Sequence, residues 1–422
     1  MKKILSMVAA VAILSSVASA ELLKNFKHTG SLEVNAYNVN NADFNKNIDD
    51  KYGDVDTRLM LDMSFDLNDD ASAVVSVVKN NRQWGTAQED ANTIQTNLVF
   101  EQAYLNLKGV MGMDHKLGRQ YYGKEGDMVI YFGPQRWPYM PVMPVSALDA
   151  WVGTYKYNDW TFTGLLGKIP DIITDDATGT DATGTMEENL SMGKNLSGID
   201  VKTKIDRFDL NAYYYNYSDN DNTTVGRLGV AGLRANWECM FLKDLNLRLE
   251  YDKNFGSDKS YAQYKGYAYK LNADYKMDLA GKMGFMAEYT YMSGQDTSTD
   301  NKVYTPINID YRPGIIANGY GVNSAYVTAV GTGYKGMHFG ANWTPSAMEK
   351  LNIAATYYNM KVAEKNTGMK DTLGNEIDLV ATWKHSDNVS VKGYYAMFKP
   401  EKDNSGTDDA QTALGAAFVL KF

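Results

Sequence analysis

Apolar residues recur at every second position over much of this chain. Thr57, Leu59, Leu61, Met63, Phe65 and Leu67 make one such run, set against Asp56, Arg58, Met60, Asp62, Ser64 and Asp66. A period of two is the period of a β-strand, so the run predicts a strand with one greasy face and one polar face. The sorting recurs in Phe208, Leu210, Ala212 and Tyr214 against Asp209, Asn211 and Tyr213. It recurs again in Leu245, Leu247, Leu249 and Tyr251 against Asn246, Arg248, Glu250 and Asp252. Ile377, Leu379, Ala381 and Trp383 oppose Glu376, Asp378, Thr382 and Lys384. The first segment is Leu32, Val34 and Ala36, and the last is Gln411–Phe422, apolar or small at Leu414, Ala416, Phe418, Leu420 and Phe422. Two stretches sort poorly: Val74–Val78 is apolar on both faces, and Gly229–Gly232 has little pattern.

The connections between these runs alternate in length. Short ones fall at Asn68–Ala71, Gly109–Asp114, Asn158–Asp159, Asp206, Lys243–Asp244, Asp278–Gly281, Pro345–Lys350 and Ser386–Asn388. Longer ones fall between them, at Asn40–Tyr52, Asn81–Thr93, Tyr122–Leu148, Pro170–Asn195, Ser218–Thr223, Asn254–Tyr261, Gly294–Lys335, Ala363–Asn375 and Pro400–Ala410. A water-soluble sandwich has no reason to sort its loops this way. A transmembrane barrel does, with short periplasmic turns on one side and long extracellular loops on the other. Eight turns and nine loops predict eighteen strands, with sixteen to eighteen as the range. The fold class is therefore all-β, a transmembrane antiparallel β-barrel whose greasy faces meet lipid and whose charges line a wet lumen. A final strand must pair, and the first strand around Leu32–Ala36 is its expected partner. The segment Ser324–Gly333 is assigned to a loop or to an extension of the strand through Trp343. As a further spanning strand it would put Phe422 on the outside.

The first twenty residues read as a secretory leader. Lys2 and Lys3 precede the apolar run Met7–Leu14, and Ala18-Ser19-Ala20 supplies a small-residue cleavage site. Residues 1–20 are thus expected to be removed near Ala20 by Sec-type processing, leaving 21–422 as one barrel domain. The chain carries 42 Lys and Arg against 51 Asp and Glu, and losing Lys2 and Lys3 leaves 40 against 51, a net of −11. That balance argues against a nucleic-acid partner. Past the leader there is no long apolar run of the kind a helical span needs. Thirty Tyr and 36 Gly with 9 Pro suit strands, polar turns and aromatic belts. Cys239 is the single cysteine, so it has no disulfide partner in the chain, and a buried or strand position is the expectation. The repeat DATGT at Asp176–Thr180 and Asp181–Thr185 reads as low-complexity loop sequence.

Two motifs carry a family resemblance. Leu117-Gly118-Arg119-Gln120 is followed by Tyr122-Gly123 and then Asp149-Ala150-Trp151-Val152. Leu373-Gly374-Asn375-Glu376-Ile377-Asp378-Leu379 is followed by Ser386-Asp387-Asn388 and a Tyr-rich strand. Both resemble the alginate-export outer-membrane family, and the resemblance implies an eighteen-stranded pore whose arginines project into the lumen and favour an anionic polysaccharide. Arg119 is the matching arginine, and Glu376 and Asp378 match the late motif. The ending of the chain, an alternating strand closing on Phe422, resembles the assembly signal of bacterial outer-membrane proteins. It implies the barrel-assembly machinery as a partner.

Parity assigns Arg58, Arg119, Arg234, Arg248 and Lys270 to the lumen, together with Asp56, Asp62, Asp209, Glu250, Asp274, Glu376 and Asp378. This is a mixed lining, so a channel for small hydrophilic solutes or oligosaccharides is favoured over a basic funnel. An export pore for an anionic polysaccharide and a structural or adhesive surface barrel are the alternatives. Selectivity needs charges held over a constriction. The loop Tyr122–Leu148 is the candidate for it, either folded inward or capping the mouth. It carries Arg136 beside Trp137, with Pro138, Pro141 and Pro144 to stiffen it. Its run Met128-Val129-Ile130-Tyr131-Phe132 is too apolar for a solvated loop. The selectivity candidates are then Arg58, Arg119, Gln120, Arg136, Arg234, Arg248, Glu250, Lys270, Glu376 and Asp378. Arg119 could equally brace the wall by pairing with a facing carboxylate. His28, His115, His338 and His385 are scattered and without recognisable catalytic partners, so no enzyme, cofactor or metal is expected. The acidic clusters Asp175-Asp176, Asp219–Asp221 and Asp408-Asp409 read as solvated loops. Lipid and lipopolysaccharide are the expected surroundings, and the barrel is a monomer or a trimer.

Overall fold

The computed structural model describes residues 24–81, 98–134, 147–169, 194–219, 226–296, 299–317, 332–365, 368 and 370–422. The expected leader, Arg136 with Pro138, Pro141 and Pro144, both DATGT copies and most of Ser324–Gly333 lie outside these residues.

Among the described residues the wall is an eighteen-stranded antiparallel sheet. Its first part runs β1 (Lys24–Asn40), β2 (Tyr52–Asp66), β3 (Ala71–Asn81), β4 (Leu98–Val110) and β5 (Met113–Gln120). Two short strands off the wall follow, β6 (Tyr122–Gly123) and β7 (Tyr131–Phe132). The wall resumes with β8 (Leu148–Tyr157), β9 (Trp160–Lys168), β10 (Lys194–Ile205), β11 (Phe208–Asp219), β12 (Arg227–Glu238) and β13 (Leu245–Ser257). It ends with β14 (Tyr267–Asp278), β15 (Gly281–Met292), β16 (Tyr334–Pro345), β17 (Leu351–Lys361), β18 (Thr372–Lys384), β19 (Val389–Pro400) and β20 (Gln411–Lys421). Each wall strand pairs with its sequence neighbours, and β20 closes the ring on β1 from Ser31 opposite Lys421 to Asn40 opposite Thr412. Closure leaves no free edge. The eight turns and nine loops fall in the expected alternation, and both ends of the described chain lie on the turn side. Several turns pass through left-handed backbone, as at Asn158, Asp206 and Asp244, a conformation that Asn and Asp tolerate best among residues other than glycine.

The outward face follows the alternation. Leu249, Tyr251, Ile377, Leu379, Leu414 and Phe418 are all exposed, as a lipid-facing belt requires. The turn-side rim is aromatic: Phe208 stacks on Trp237 with ring centres 5.9 Å apart, and Trp160, Trp343, Trp383 and Phe422 also face outward.

The buried core lies inside the barrel. One cluster joins Val129, Ile130 and Phe132 of the loop after β5 to Leu148, Leu165, Leu196, Tyr213, Leu228 and Val230 on the wall. Another joins Phe44 and Ile315–Ala317 of two other loops to Val39, Met360, Leu373 and Phe398. The first cluster explains the weak pattern of Gly229–Gly232. Val230 is wholly buried and faces inward, because a loop rather than water covers it. Cys239 sits in the turn after β12, half-buried, and not within a strand.

Candidate functional site

The loop that follows β5 folds into the barrel. Tyr122 and Gly123 pair with Phe132 and Tyr131, and this small hairpin carries Met128, Val129, Ile130 and Phe132 out of water. Of the two expected positions, the inward one is therefore realised by residues 122–134. The long loop between β15 and β16 meets it there. Val129 O accepts the amides of Ile307 and Asn308 at 3.0 Å each, Tyr131 N donates to Asn308 O at 2.9 Å, and Tyr304 Oη donates to Met128 O at 3.1 Å. Gly126 N in turn donates to Asp310 Oδ2 at 2.8 Å. Two loops thus satisfy each other's backbone in the middle of the lumen, where unpaired polar groups would be costly.

Both loops are fastened to the wall by charge. Asp127 accepts from Arg234 Nη2 at 2.8 Å, and its Oδ1 also accepts the amides of Val129 and Ile130 at 2.7 and 3.1 Å. Arg234 Nε donates to Glu250 at 2.8 Å, and Lys270 Nζ stands 3.2 Å from the other Glu250 oxygen. The Arg234 guanidinium also lies over the Tyr213 ring, 4.4 Å from its centre. Burial pushes the carboxyl of Asp127 above the usual carboxylate range, against the opposing pull of Arg234 and the two amides. Asp310 is raised as well, again by burial, with Gly126 N and Arg312 opposing. At the far side of the lumen the second loop ends on β18. Ile316 N and Ala317 N donate to the two oxygens of Glu376 at 2.6 and 3.0 Å, and Ile315 N donates to Asp378 at 3.1 Å. Charge-assisted bonds of this kind are stronger than neutral ones.

Between the loops and the wall lies a cavity of ≈ 830 Å³. Its cationic lining is Lys124, Lys202, Lys204, Arg234, Arg248, Lys270 and Arg312. Its acidic lining is Glu125, Asp127, Asp159, Asp209, Glu250, Glu288 and Asp310, so among the described residues the seven charges of each sign balance. Several stand as close pairs, Lys204 with Asp209 at 3.7 Å and Arg312 with Asp310 at 3.6 Å, and Arg248 pairs with Asp274, which is not part of the lining. The arrangement presents a solute with both signs of charge at short range.

The fold is shared with solved structures. Crystal structures from Pseudomonas aeruginosa are similar over nearly the whole chain: OccD3 (OpdP) at 12% identity and TM-score 0.58, covering 95% of this chain and 92% of its own. OpdQ matches at 13% identity and TM-score 0.58, with 96% and 100% covered. OccK5 (OpdH) matches at 15% identity and TM-score 0.55, with 94% and 98% covered. A search of curated protein sequences finds no match. The family model that describes Gram-negative porins matches residues 6–404. The chain belongs to the Gram-negative porin family.

In this porin Arg234, Arg248, Glu250 and Lys270 line one cavity. Arg58 also points inward but is buried, in an ion pair with Glu33 at 2.7 Å. Gln120 has no exposed surface, and its Nε2 donates to Ala150 O at 2.8 Å, which ties β5 to β8. Glu376 and Asp378 face the lumen, yet the loop they anchor covers them, so neither lines the cavity. Arg119 is a correction. It shares the outward face with Leu117 and Trp151, opposite Ala103 and Asp149, and stands 3.6 Å from the Asp149 carboxylate. Gly118 beside it faces inward with φ +120, and a Cβ there would come 2.3 Å from Ala103 O. His338 is not partnerless, since it lies 3.3 Å from Glu288 and 3.0 Å from Tyr334 Oη. Asp127 and Asp310 escaped sequence reasoning because Arg234 and Gly126, which bind them, are distant in the chain. The signal available was Asp127 standing directly before the apolar run of residues 128–132.

Proposed function

We propose that this outer-membrane porin passes small hydrophilic solutes of balanced charge, zwitterions and neutral oligosaccharides, by passive diffusion past the two inserted loops. The observation that carries this reading is the equal number of cationic and acidic side chains around the cavity. Fixed charges at a constriction select by their summed field. A net of zero therefore favours weak ion selectivity, while the close pairs orient a dipolar solute. An export pore for an anionic polysaccharide would need an excess of cations around the lumen, and the carboxylates that share the cavity with Arg234, Arg248 and Arg312 weigh against it.

Reconstitution into planar bilayers under a potassium chloride gradient tests the proposal. A reversal potential near zero, with liposome swelling in neutral amino acids and disaccharides, is the expected result. Strong anion selectivity would sink it in favour of the export reading. A folded barrel without conductance would favour a structural one.

A further inference from the structure

The lipid-facing wall is charged on one side only. At the turn-side rim the outward positions are aromatic, whereas at the loop-side rim Arg119, Lys168, Arg227, Lys335 and Lys399 all occupy outward positions. Three of these cations lie on a single rung. Reading around the barrel, Arg119 is opposite Asp149, then come Lys168, Asn195, Ser218 and Arg227. This rung holds three cations and one carboxylate. Arg119 is already paired with Asp149, whereas Lys168 and Arg227 are exposed and have no ion-pair partner among the described residues. Three strand spacings separate Lys168 from Arg227, roughly 14 Å along the rim.

Below the charged rung the wall is apolar on β8 and β9, while β10, β11 and β12 present Ser197, Asn216 and Gly229 there. Trp151 and Leu166 form the next outward rung, and the Trp151 ring lies flat over Gly153, its Cζ2 only 2.4 Å from where a Cβ would stand. Its Nε1 is fixed by His115 Nδ1 at 3.1 Å. The result is an outward groove of ≈ 770 Å³ with cations and amide and hydroxyl groups at its upper edge, Trp151 and Leu166 at its β8–β9 end, and Ser197 and Asn216 beside them.

We propose that this groove on β8–β12 binds a phosphorylated, acylated saccharide of the outer leaflet, a lipid A-type molecule. One phosphate sits on Lys168, the other on Arg227, and an acyl chain lies on Trp151 and Leu166. A cation at an anionic headgroup layer is favoured, and an unpaired one facing hydrocarbon is costly, so an anionic lipid supplies the partner that these two side chains lack among the described residues. Asn195 and Ser218, between them on the rung, offer polar groups toward the saccharide.

The test uses the refolded full barrel in detergent, titrated with diphosphoryl hexa-acylated lipid A and read by native mass spectrometry and by Trp fluorescence. Parent protein should hold the lipid, and the double variant Lys168→Gln/Arg227→Gln should bind it roughly thirtyfold more weakly. Lys168→Arg with Arg227→Lys should restore binding, and Lys350→Gln on the turn side should leave it unchanged. Conductance and heat-modifiable gel mobility of the double variant should match the parent, because neither residue faces the lumen. Equal binding by parent and double variant would overturn the proposal. So would equal affinity for phosphatidylethanolamine, or competition by millimolar inorganic phosphate, which would mark a plain anion site.

Discussion

Arg234 on β12 and Asp127 at the tip of the inserted hairpin lie 2.8 Å apart, and that contact joins the constriction to the barrel wall. Removing one partner of a largely buried pair leaves the other charge uncompensated. In Arg234→Met both Asp127 and Glu250 lose their guanidinium, and the seat of the hairpin should weaken by about 3 kcal/mol. The expected signs are noisy, enlarged single-channel conductance and faster proteolysis within residues 122–134. Arg234→Lys should fall between, since an ammonium cannot span both carboxylates in one plane. Quiet channels of parental size in the Met variant would refute this role.

Glu376 holds the opposite end of the second loop through two amides, whereas Asp378 holds one. Glu376→Gln replaces one acceptor oxygen with an NH2 facing an N–H, at a cost of about 1–3 kcal/mol. Asp378→Asn should cost less. The order of the two effects on open-channel fluctuation is the measurement, and a reversed order would refute the anchoring geometry.

Acidification should shift selectivity in one direction. Asp127 and Asp310 are loop carboxyls that burial holds above the usual range, so they take up protons before ordinary surface carboxylates. Arg234 and Arg312 stay protonated throughout. Each proton bound deletes a negative charge from the cavity, so the reversal potential should move toward anion selectivity as pH falls. The stability sign agrees. A carboxyl pKa raised in the folded state means that the cost of burying the charge, present above that pKa, is relieved on acidification. Asp127→Asn should start anion-shifted at neutral pH and respond less. A shift toward cation selectivity would contradict the assignment.

The wall was legible because alternation survives wherever water or lipid touches a face. Leu249 outward and Glu250 inward need only a period of two. It failed where loops replace water: Val230 and Leu228 face inward beneath Ile130 and Phe132, so no polar face remained to read. Arg119 was misplaced for a related reason. Both faces of β8 are apolar around Trp151, and a slip of one position reverses every side chain. The outward exposure of Leu105 and Leu117, two residues before Arg119, carried the correct parity. The role of Glu376 was out of reach, because its partners Ile316 and Ala317 lie about sixty residues away in a loop without periodicity.

The seam of the barrel has its own requirement. Gly30 and Phe422 exchange two backbone hydrogen bonds, Gly30 N to Phe422 O at 2.8 Å and Phe422 N to Gly30 O at 3.0 Å. The Phe422 ring then lies over Gly30, where an added Cβ would meet its Cζ at 2.6 Å and Met60 O at 2.7 Å. A side chain at position 30 must therefore displace either the ring or the β2 backbone. Gly30→Val should lower the fraction of protein that runs as folded barrel in unboiled SDS gels, both after refolding and in cells. Phe422→Ala keeps the backbone pairing and loses only the ring. If the assembly machinery reads that ring, Phe422→Ala should depress assembly in cells far more than refolding in vitro, whereas Gly30→Val should depress both alike. Equal losses for Phe422→Ala in the two settings would show that the ring serves the seam rather than a partner.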